Sequence, residues 1–522
     1  MPSTYMTPGV YIEEKNAFPG SAIAVGTAVP VFIGYTEIAD KNGKSLINMP
    51  LRITSFAEFS VYFGGSFSPK YVIENSKEGD PSNEIFQLNK VNKNVVIKPN
   101  HTFYLYNSIK LFYANGGSTC YIHSVGDYNG KNGDPVIKKD DFINALPLLE
   151  KEYEPTLVVM PDAISLGTDC YISIYTSVLQ HCNKMQSRFA IFDLVKGTPD
   201  SSSDTVEAFR TAIGVNFLNY GAAYFPWLKT TVVDASEVDF ENIELATIDE
   251  LKTLLPEAVA LTILDKAVAE YKDVLTLAVI PPTKNDNGEV TDKGLSIDDI
   301  KSIKKNLHQS LKAASPSYVS ILEEIRSRIN ELPPSGAMAG IFTLVDNSRG
   351  VWKSPANVSL SMVSAPMVNI TADEQQSFNV DVMAGKSINV IRPFPGIGTL
   401  VWGARTLDGN SQDWRYINVR RTLIMIEQSL KLATRAYVFE PNDGTTWSTV
   451  NSMFTNFLTN LWKQGALAGA APEQAFSVQV GLGATMTAND ILDGMMKISV
   501  KLAIVRPAEF IIITFQQQQQ ES

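Results

Sequence analysis

The stretch Met496 to Phe515, reading MKISVKLAIVRPAEFIIITF, limits the possible folds of this chain more than any other. Met496, Ile498, Val500, Leu502 and Ile504 alternate with Lys497, Ser499, Lys501 and Ala503. A period of two marks a strand with one face in a core and one in water. Beyond Arg506 and Pro507 the alternation ends, and Phe510, Ile511, Ile512, Ile513 and Phe515 put large apolar side chains on both faces of a second strand. Such a strand needs cover on two sides and partners for its backbone, because a bare apolar edge pairs with other chains. Two arrangements supply this. Either the strand is central in a sheet of its own domain, or the terminus is donated to a neighbouring molecule's sheet through backbone hydrogen bonds. Gln516 to Gln520, with Glu521 and Ser522, reads as a solvated tail, five glutamines being too few for an aggregation tract.

A chain of 522 residues is too long for one core, and at roughly 100–200 residues per domain about three units are expected. With 44% hydrophobic and 19% charged residues the composition is that of a soluble globular protein. No apolar run reaches the roughly 18 residues of a membrane span, and the opening MPSTYMTPG has neither the basic nor the apolar region of an export signal. Folding in the cytoplasm without membrane insertion is therefore expected. Cys120, Cys170 and Cys182 are odd in number and unpatterned, which points to buried thiols rather than a disulfide framework.

Charge is unevenly spread. Between Val232 and Ile300 stand 16 Asp or Glu against 5 Lys and no Arg, an excess equal to the net charge of −11 of the whole chain. An acidic block of this kind repels phosphate backbones, so nucleic acid is not an expected partner. It reads as a solvated face turned outward.

Taken in order, residues 1–20 hold TPGVYIEE, a short strand with no obvious local partner. Ala22 to Thr36 is strand-like and enters the first large domain. LINMPLRITSFAEFSVYFGG reads as a strand, a Ser55 cap, a short helix from Phe56 and the stop at Gly64 and Gly65. Lys70 to Asn100 has the turn signals of a peripheral insertion, with a hairpin around Asn94 to Lys98. Asn107 to Gly126 gives a helix stopped by Gly116 and Gly117 and a strand from Thr119 to Val125. EPTLVVMPDA, a helix from about Gly167 to Met185, RFAIFDL and NYGAAYFPWL then alternate strand and helix. Short buried strands between helices imply a layered βαβ domain with a partly parallel sheet.

The expected organisation is thus α/β (mixed α+β) and multidomain. A strand-bearing arm occupies 1–20, an α/β domain 21–231 with an insertion at about 70–100, and an acidic helical insertion 232–332. A C-terminal α+β domain follows at 333–506, and a second arm with its glutamine tail at 507–522. Within the insertion, Thr247 to Tyr271 and Ser296 to Asn330 have helical spacing, the second with Ser296 as N-cap and Asp298 and Asp299 in its first turn. Pro333, Pro334, Ser335 and Gly336 look like a hinge. The main helix of the C-terminal domain, Ser411 to Tyr437, carries a core stripe of Tyr416, Val419, Leu423, Ile426, Leu430, Ala433 and Tyr437. Its flank shows Arg420, Arg421, Lys431 and Arg435, a basic line of the kind that is usually a solvated face. A second helix runs from Thr446 to Lys463 with Trp447, Val450, Phe454, Phe457 and Leu461 on one side, and Phe476, Val478 and Val480 begin another strand.

Catalytic and metal chemistry finds no foothold. His101, His123, His181 and His308 are scattered, without zinc-ligand spacing. Gly-x-Ser-x-Gly is absent, and Cys182 beside His181 reads as a buried thiol. Asn115-Gly116-Gly117-Ser118 lacks the Lys of a phosphate loop, and Gly396-x-Gly398 lacks a dinucleotide context. No catalytic residue, metal or cofactor is expected.

Read together, TPGVYIEE (7–14), VPVFIGYT (29–36), ITSFAEFSVYFGG (53–65), LFYANGGSTCYI (111–122), PPSGAMAGIFTLVDNSRGVWKSPAN (333–357), INVIRPFPGIGTLVWGARTL (388–407), WRYINVRRTLIMIEQSLKLATRAYVFEPND (414–443) and LAIVRPAEFIIITFQQ (502–517) form an ordered series. In this series the chain resembles tail sheath proteins of contractile phages and of phage-tail-like contractile injection systems. The resemblance implies a non-enzymatic subunit of a helical sheath of stacked hexameric rings around an inner tube, whose contraction drives the tube through a target envelope. It implies arms that complete the sheets of adjacent copies, here Pro8, Gly9, Val10, Tyr11, Ile12 and Glu13 at one end and Glu509, Phe510, Ile511, Ile512, Ile513, Thr514 and Phe515 at the other. Phe18-Pro19-Gly20 and Pro507 are the flexing points. It implies tube contact by a C-terminal-domain helix, through Arg420, Arg421, Lys431 and Arg435 or through Asn451, Thr455, Asn456 and Lys463. The partners implied are other copies of the chain, the tube protein, baseplate and terminal cap proteins and sheath paralogues, assembled in the bacterial cytoplasm into a particle released or anchored in an envelope. A tube-less shell or surface-array protein is one alternative reading, and an enzyme whose site residues the sequence does not associate is the other.

Overall fold

The computed structural model describes residues 22–77, 85–99, 101–129, 135–198, 201–281, 283–284, 290–292 and 294–513. The first arm, Pro8 to Glu13, and Thr514 and Phe515 of the second lie outside the described residues. The chain divides into two compact units, a large one of Ala28–Ser348 with Ser354–Ile417 and a small one of Met1–Thr27, Arg349–Lys353 and Asn418–Ser522.

The large unit is built on an eight-stranded sheet in the order Gly398–Trp402, Asn389–Phe394, Gly221–Phe225, Phe189–Asp193, Leu157–Val159, Pro30–Thr36, Cys120–Asp127, Leu51–Ile53. The inner six run parallel and the two outer strands antiparallel. PVFIGYT, FAIFD and GAAYF are buried along their whole length, as parallel strands covered by helices on both faces must be. Ser55 accepts from Glu58 N at the start of helix Phe56–Phe63, as its cap chemistry predicts. All three cysteines are free and buried.

Pro333 to Gly336 is not a hinge. All four residues are buried, and helix Ser335–Arg349 starts there with Ser335 N donating to the buried carboxylate of Asp193 at 2.7 Å. Its Gly336 and Gly340, four apart on one face, lie against helix Leu105–Ala114 and its cap. A Cβ on Gly336 would stand 2.5 Å from Ser108 O, and one on Gly340 2.6 Å from Phe112 O. Ala337, Met338, Ile341 and Phe342 join the core of the sheet. Residues 335–348 and 354–417, expected to open the C-terminal domain, group with the large unit. Paired prolines suit a joint, but here they precede a helix start.

The two expected insertions are one body. Tyr71–Asn75, Ile85–Leu88 and Val91–Ile97 form an antiparallel sheet. Its Tyr71, Leu88 and Val95 share a core with Phe240, Leu251, Leu264, Leu311, Tyr318 and Ile325 from the acidic segment. The hairpin turns at Asn89 and Lys90, both at positive φ, and not at Asn94 to Lys98, which lies in and just beyond the last of these strands. Ser296 caps Ile297–Ala314 in a reciprocal box with Asp299. The helix expected through Asn330 breaks at Ser315, because Pro316 opens a separate helix to Ile329. Thr247 to Tyr271 likewise separates into a short 3-10 segment to Thr253 and a helix from Ala258.

Candidate assembly surface

In the small unit, helices Ile417–Thr434 and Gly444–Lys463 and the antiparallel hairpin of Phe476–Val480 with Ile498–Leu502 enclose one core. The first helix starts later than its apolar stripe suggests, Ser411 to Tyr416 lying before it. The second begins at Gly444 because Asp443 accepts from Thr445 N and Thr446 N. Met425, Ile426, Leu430, Val450, Phe454, Phe457 and Leu461 are buried, and Val478, Ile498, Val500, Leu502 and Ile504 pack on them from the hairpin. The period of two thus places Met496 to Ile504 as expected, with Ser477, Gln479, Ser499 and Lys501 on the opposite face. The connection between the strands is tied down by a Lys497–Asp490 ion pair at 2.5 Å and by Thr485 Oγ1 donating to Lys497 O. Lys497 and the Thr487 cap hold the Asp490 carboxyl down at about 2.

A two-stranded sheet is marginal by itself. Among the described residues neither strand has a second strand partner, apart from a bridge between Leu467 and Ile504. Among the described residues, the continuation past Pro507 forms no strand. Phe510, Ile511, Ile512 and Ile513 are 69%, 80%, 90% and 69% exposed. The described part of the second arm, Glu509 to Ile513, is therefore not a central strand of its own unit, Glu509 being partly buried.

The basic line of the first helix is a solvated face only in its second half. Arg420 and Arg421 are only 5% and 4% exposed, and Arg421 Nη2 donates to Thr27 O at 2.9 Å, while Val25 N donates to Ser429 Oγ. These contacts bring residues 22–27 onto the helix, a role the spacing did not reveal. Lys431 and Arg435 remain exposed. On the second helix Asn456 and Lys463 are exposed. Asn451 instead donates to Val478 O, and Thr455 donates to Asn451. Also exposed are Val438 and Phe439 in the turn between the helices, Phe439 at positive φ. An apolar pair directly before Glu440-Pro441 was the only hint of it.

Two features of the large unit bear on enzymatic readings. His181 Nε2 lies 2.6 Å from Arg188 Nη1 and so acts as an acceptor, and burial pushes the adjacent Cys182 thiol up to about 12, the reverse of nucleophile activation. Among the described residues no cluster of His, Cys, Asp and Glu is placed to hold a metal, and no helix is long and apolar enough to cross a membrane.

Residues 410–518 match the phage tail sheath C-terminal domain family, a span that begins close to where the small unit's helices do. The tail sheath protein of Vibrio phage KVP40 is 25% identical over 162 residues, which cover 31% of this chain and 24% of that protein. Likeness over nearly the whole chain comes from solved structures. The contracted sheath of the extracellular contractile injection system PVC has a TM-score of 0.59 at 26% identity, with 99% of each chain covered. The contracted helical sheath of the anti-feeding prophage has a TM-score of 0.58 at 27% identity, covering 99% of this chain and 100% of that one. With a sheath C-terminal domain match over the small unit and full-length likeness to two contractile sheaths, the chain is similar to the tail sheath proteins of contractile phage tails and phage-tail-like contractile injection systems.

Proposed function

We propose that the protein is the structural subunit of a contractile sheath, polymerising as stacked hexameric rings around an inner tube and shortening to drive that tube through a target envelope. The observation that carries this reading is the exposed run Phe510 to Ile513 beside a hairpin with unpaired edges. Burying a large apolar side chain is worth roughly 1.5–3 kcal/mol, so four of them make a strong drive toward a partner. A neighbouring copy's hairpin supplies the backbone ladder, and Pro8 to Glu13 of the first arm is donated in the same way. Identical subunits joined through unlike surfaces build an open helix when the rotation does not close. Contraction is then a passage between two packings of the same subunits, without turnover of a substrate.

Tube contact falls to the exposed Lys431 and Arg435, with Asn456 and Lys463 as the second group. Baseplate and cap proteins end the helix, and sheath paralogues share it. The joint body of residues 70–100 and 232–332 decorates the outside. Electron microscopy of the chain lacking residues 509–522, compared with the full chain, tests the reading. The full chain forms hollow striated cylinders and the shortened one does not; cylinders of normal length from both would refute it.

A further inference from the structure

The two edges of the acceptor hairpin are not equivalent. Ala503 N donates to Ala475 O, which sets the phase of a ladder pairing Ser477 with Lys501, Val478 with Val500 and Gln479 with Ser499. Facing residues in an antiparallel pair alternate between bonded and non-bonded. Ser477–Lys501 and Gln479–Ser499 are therefore bonded across the hairpin, while Val478 and Val500 turn their N–H and C=O groups outward. On the outer edge of Phe476–Val480 that C=O is occupied, since Asn451 Nδ2 donates to Val478 O at 3.2 Å. Thr455, one turn along the same helix, donates its hydroxyl to Asn451 Oδ1 at 3.2 Å and keeps the amide turned toward the strand. On the outer edge of Ile498–Leu502, no side chain among the described residues occupies the corresponding groups of Val500 and Leu502.

We propose that Asn451, steadied by Thr455, is a gate on the Phe476–Val480 edge, so that the Phe510–Ile513 strand of a second copy adds first along Ile498 to Ile504. The proposal rests on the strand-donation reading of the function. Its occupant is a second copy because the chain's own arm leaves this edge after Val505 and stays exposed. An extended apolar strand supplies both the missing ladder and side chains for the face that carries Ile498, Val500 and Leu502. The gated edge opens when the amide swings away from Val478, which makes strand addition ordered and keeps free subunits from pairing through both edges at once.

Assembly of the full chain from dilute subunits, followed by light scattering with hydrogen exchange on samples taken during growth, tests this. Amide protection is expected at Val500 and Leu502 before Val478. Asn451→Ala and Asn451→Asp, the second of similar shape but without the donor, should each lower the concentration threshold for assembly about fivefold, the worth of one ordinary hydrogen bond. Thr455→Val should shift it in the same direction by less. Protection of Val478 first, or unchanged thresholds in folded Asn451 variants, would overturn the gate. The chain lacking residues 509–522 separates the two ideas. Cylinders from that chain would refute strand donation itself, whereas indifferent Asn451 variants with an assembly-dead truncation would refute only the gate.

Discussion

The large and small units are both sheets packed on helices, yet they treat their sheet edges in opposite ways. In the large unit the strand Gly398–Trp402 is flanked by residues 357–360, with Asn357 N donating to Val401 O, Val401 N to Val358 O and Leu360 N to Thr399 O. Its other edge is a strand of three residues carrying Arg52, ion-paired with Glu154 at 3.2 Å. Short, charged or covered edges are how a sheet avoids adding strands. The buried Asp162 accepts from the N–H groups of Tyr35, Tyr104 and Leu105, so this carboxylate is met from within. The small unit leaves the edge of its hairpin open and holds four apolar side chains in water. One unit covers its own sheet edges, and the other leaves open the edge on which the proposed strand donation rests.

Removing residues 509–522 is the most severe way to break this contrast. Assembly should be lost altogether while the thermal unfolding of the isolated subunit stays within about 0.5 kcal/mol, the usual range for changes away from packed features. A drop in subunit stability of several kcal/mol would mean that the arm belongs to its own fold.

A second change should act the other way round. Gly336→Leu forces side-chain atoms into a gap where even a Cβ meets the backbone of Ser108. Overpacking should cost about 3 kcal/mol, read as a lower denaturation midpoint of the large unit. The surviving folded fraction should assemble normally once concentrations are matched. An assembly defect without loss of stability would place this helix in the subunit interface.

Acid should also find the large unit, since all four histidines lie in it. His123 is fully buried, neither ring nitrogen finds a partner among the described residues, and burial holds its imidazole down to about 4. In the unfolded chain it titrates near 6.5, so between pH 6.5 and about 4 the unfolded form takes up a proton that the folded form refuses, and stability falls. Replacing it by Leu removes this loss. The stability gap between His123→Leu and wild type should widen in favour of the variant by about 3 kcal/mol from pH 7 to pH 4. A gap that stays constant would mean the imidazole gains its proton as easily inside as out.

The contrast also explains what the sequence disclosed. Strands such as FAIFD and GAAYF and the alternation up to Ile504 were legible because burial on two faces or on one leaves its period in the residues themselves. Caps at Ser55 and Ser296 were legible because a side-chain oxygen and its N–H target lie close in sequence. The shared core of residues 70–100 and 232–332 was not, since nothing local joins Tyr71 to Ile325. Gly336 suggests a hinge in the sequence, because a close helix approach and a flexible joint call for the same residue. The burial of Arg421 depended on the carbonyl of Thr27, almost four hundred residues away. In the site, the apolar run Phe510 to Ile513 stood out because the alternation stops at Pro507, whereas the open edge of the hairpin depended on the phase of a ladder.

The smallest effect is expected at the exposed charges. Lys431→Glu with Arg435→Glu alters two solvent-facing side chains on the small unit, so subunit stability should change by no more than about 0.5 kcal/mol. Cylinders should still form, because the arms and the hairpin are untouched. What should change is the grip on the inner tube. If these two cations face it, sedimentation of sheath with tube should weaken at low salt in the double variant and lose its salt dependence, the Debye length at 0.15 M being only about 8 Å. Unaltered co-sedimentation at every salt concentration would pass the contact to Asn456 and Lys463 on the neighbouring helix. The comparison would then sharpen, since the first helix would serve the unit's own core and residues 22–27, and the second would face outward to tube and hairpin alike.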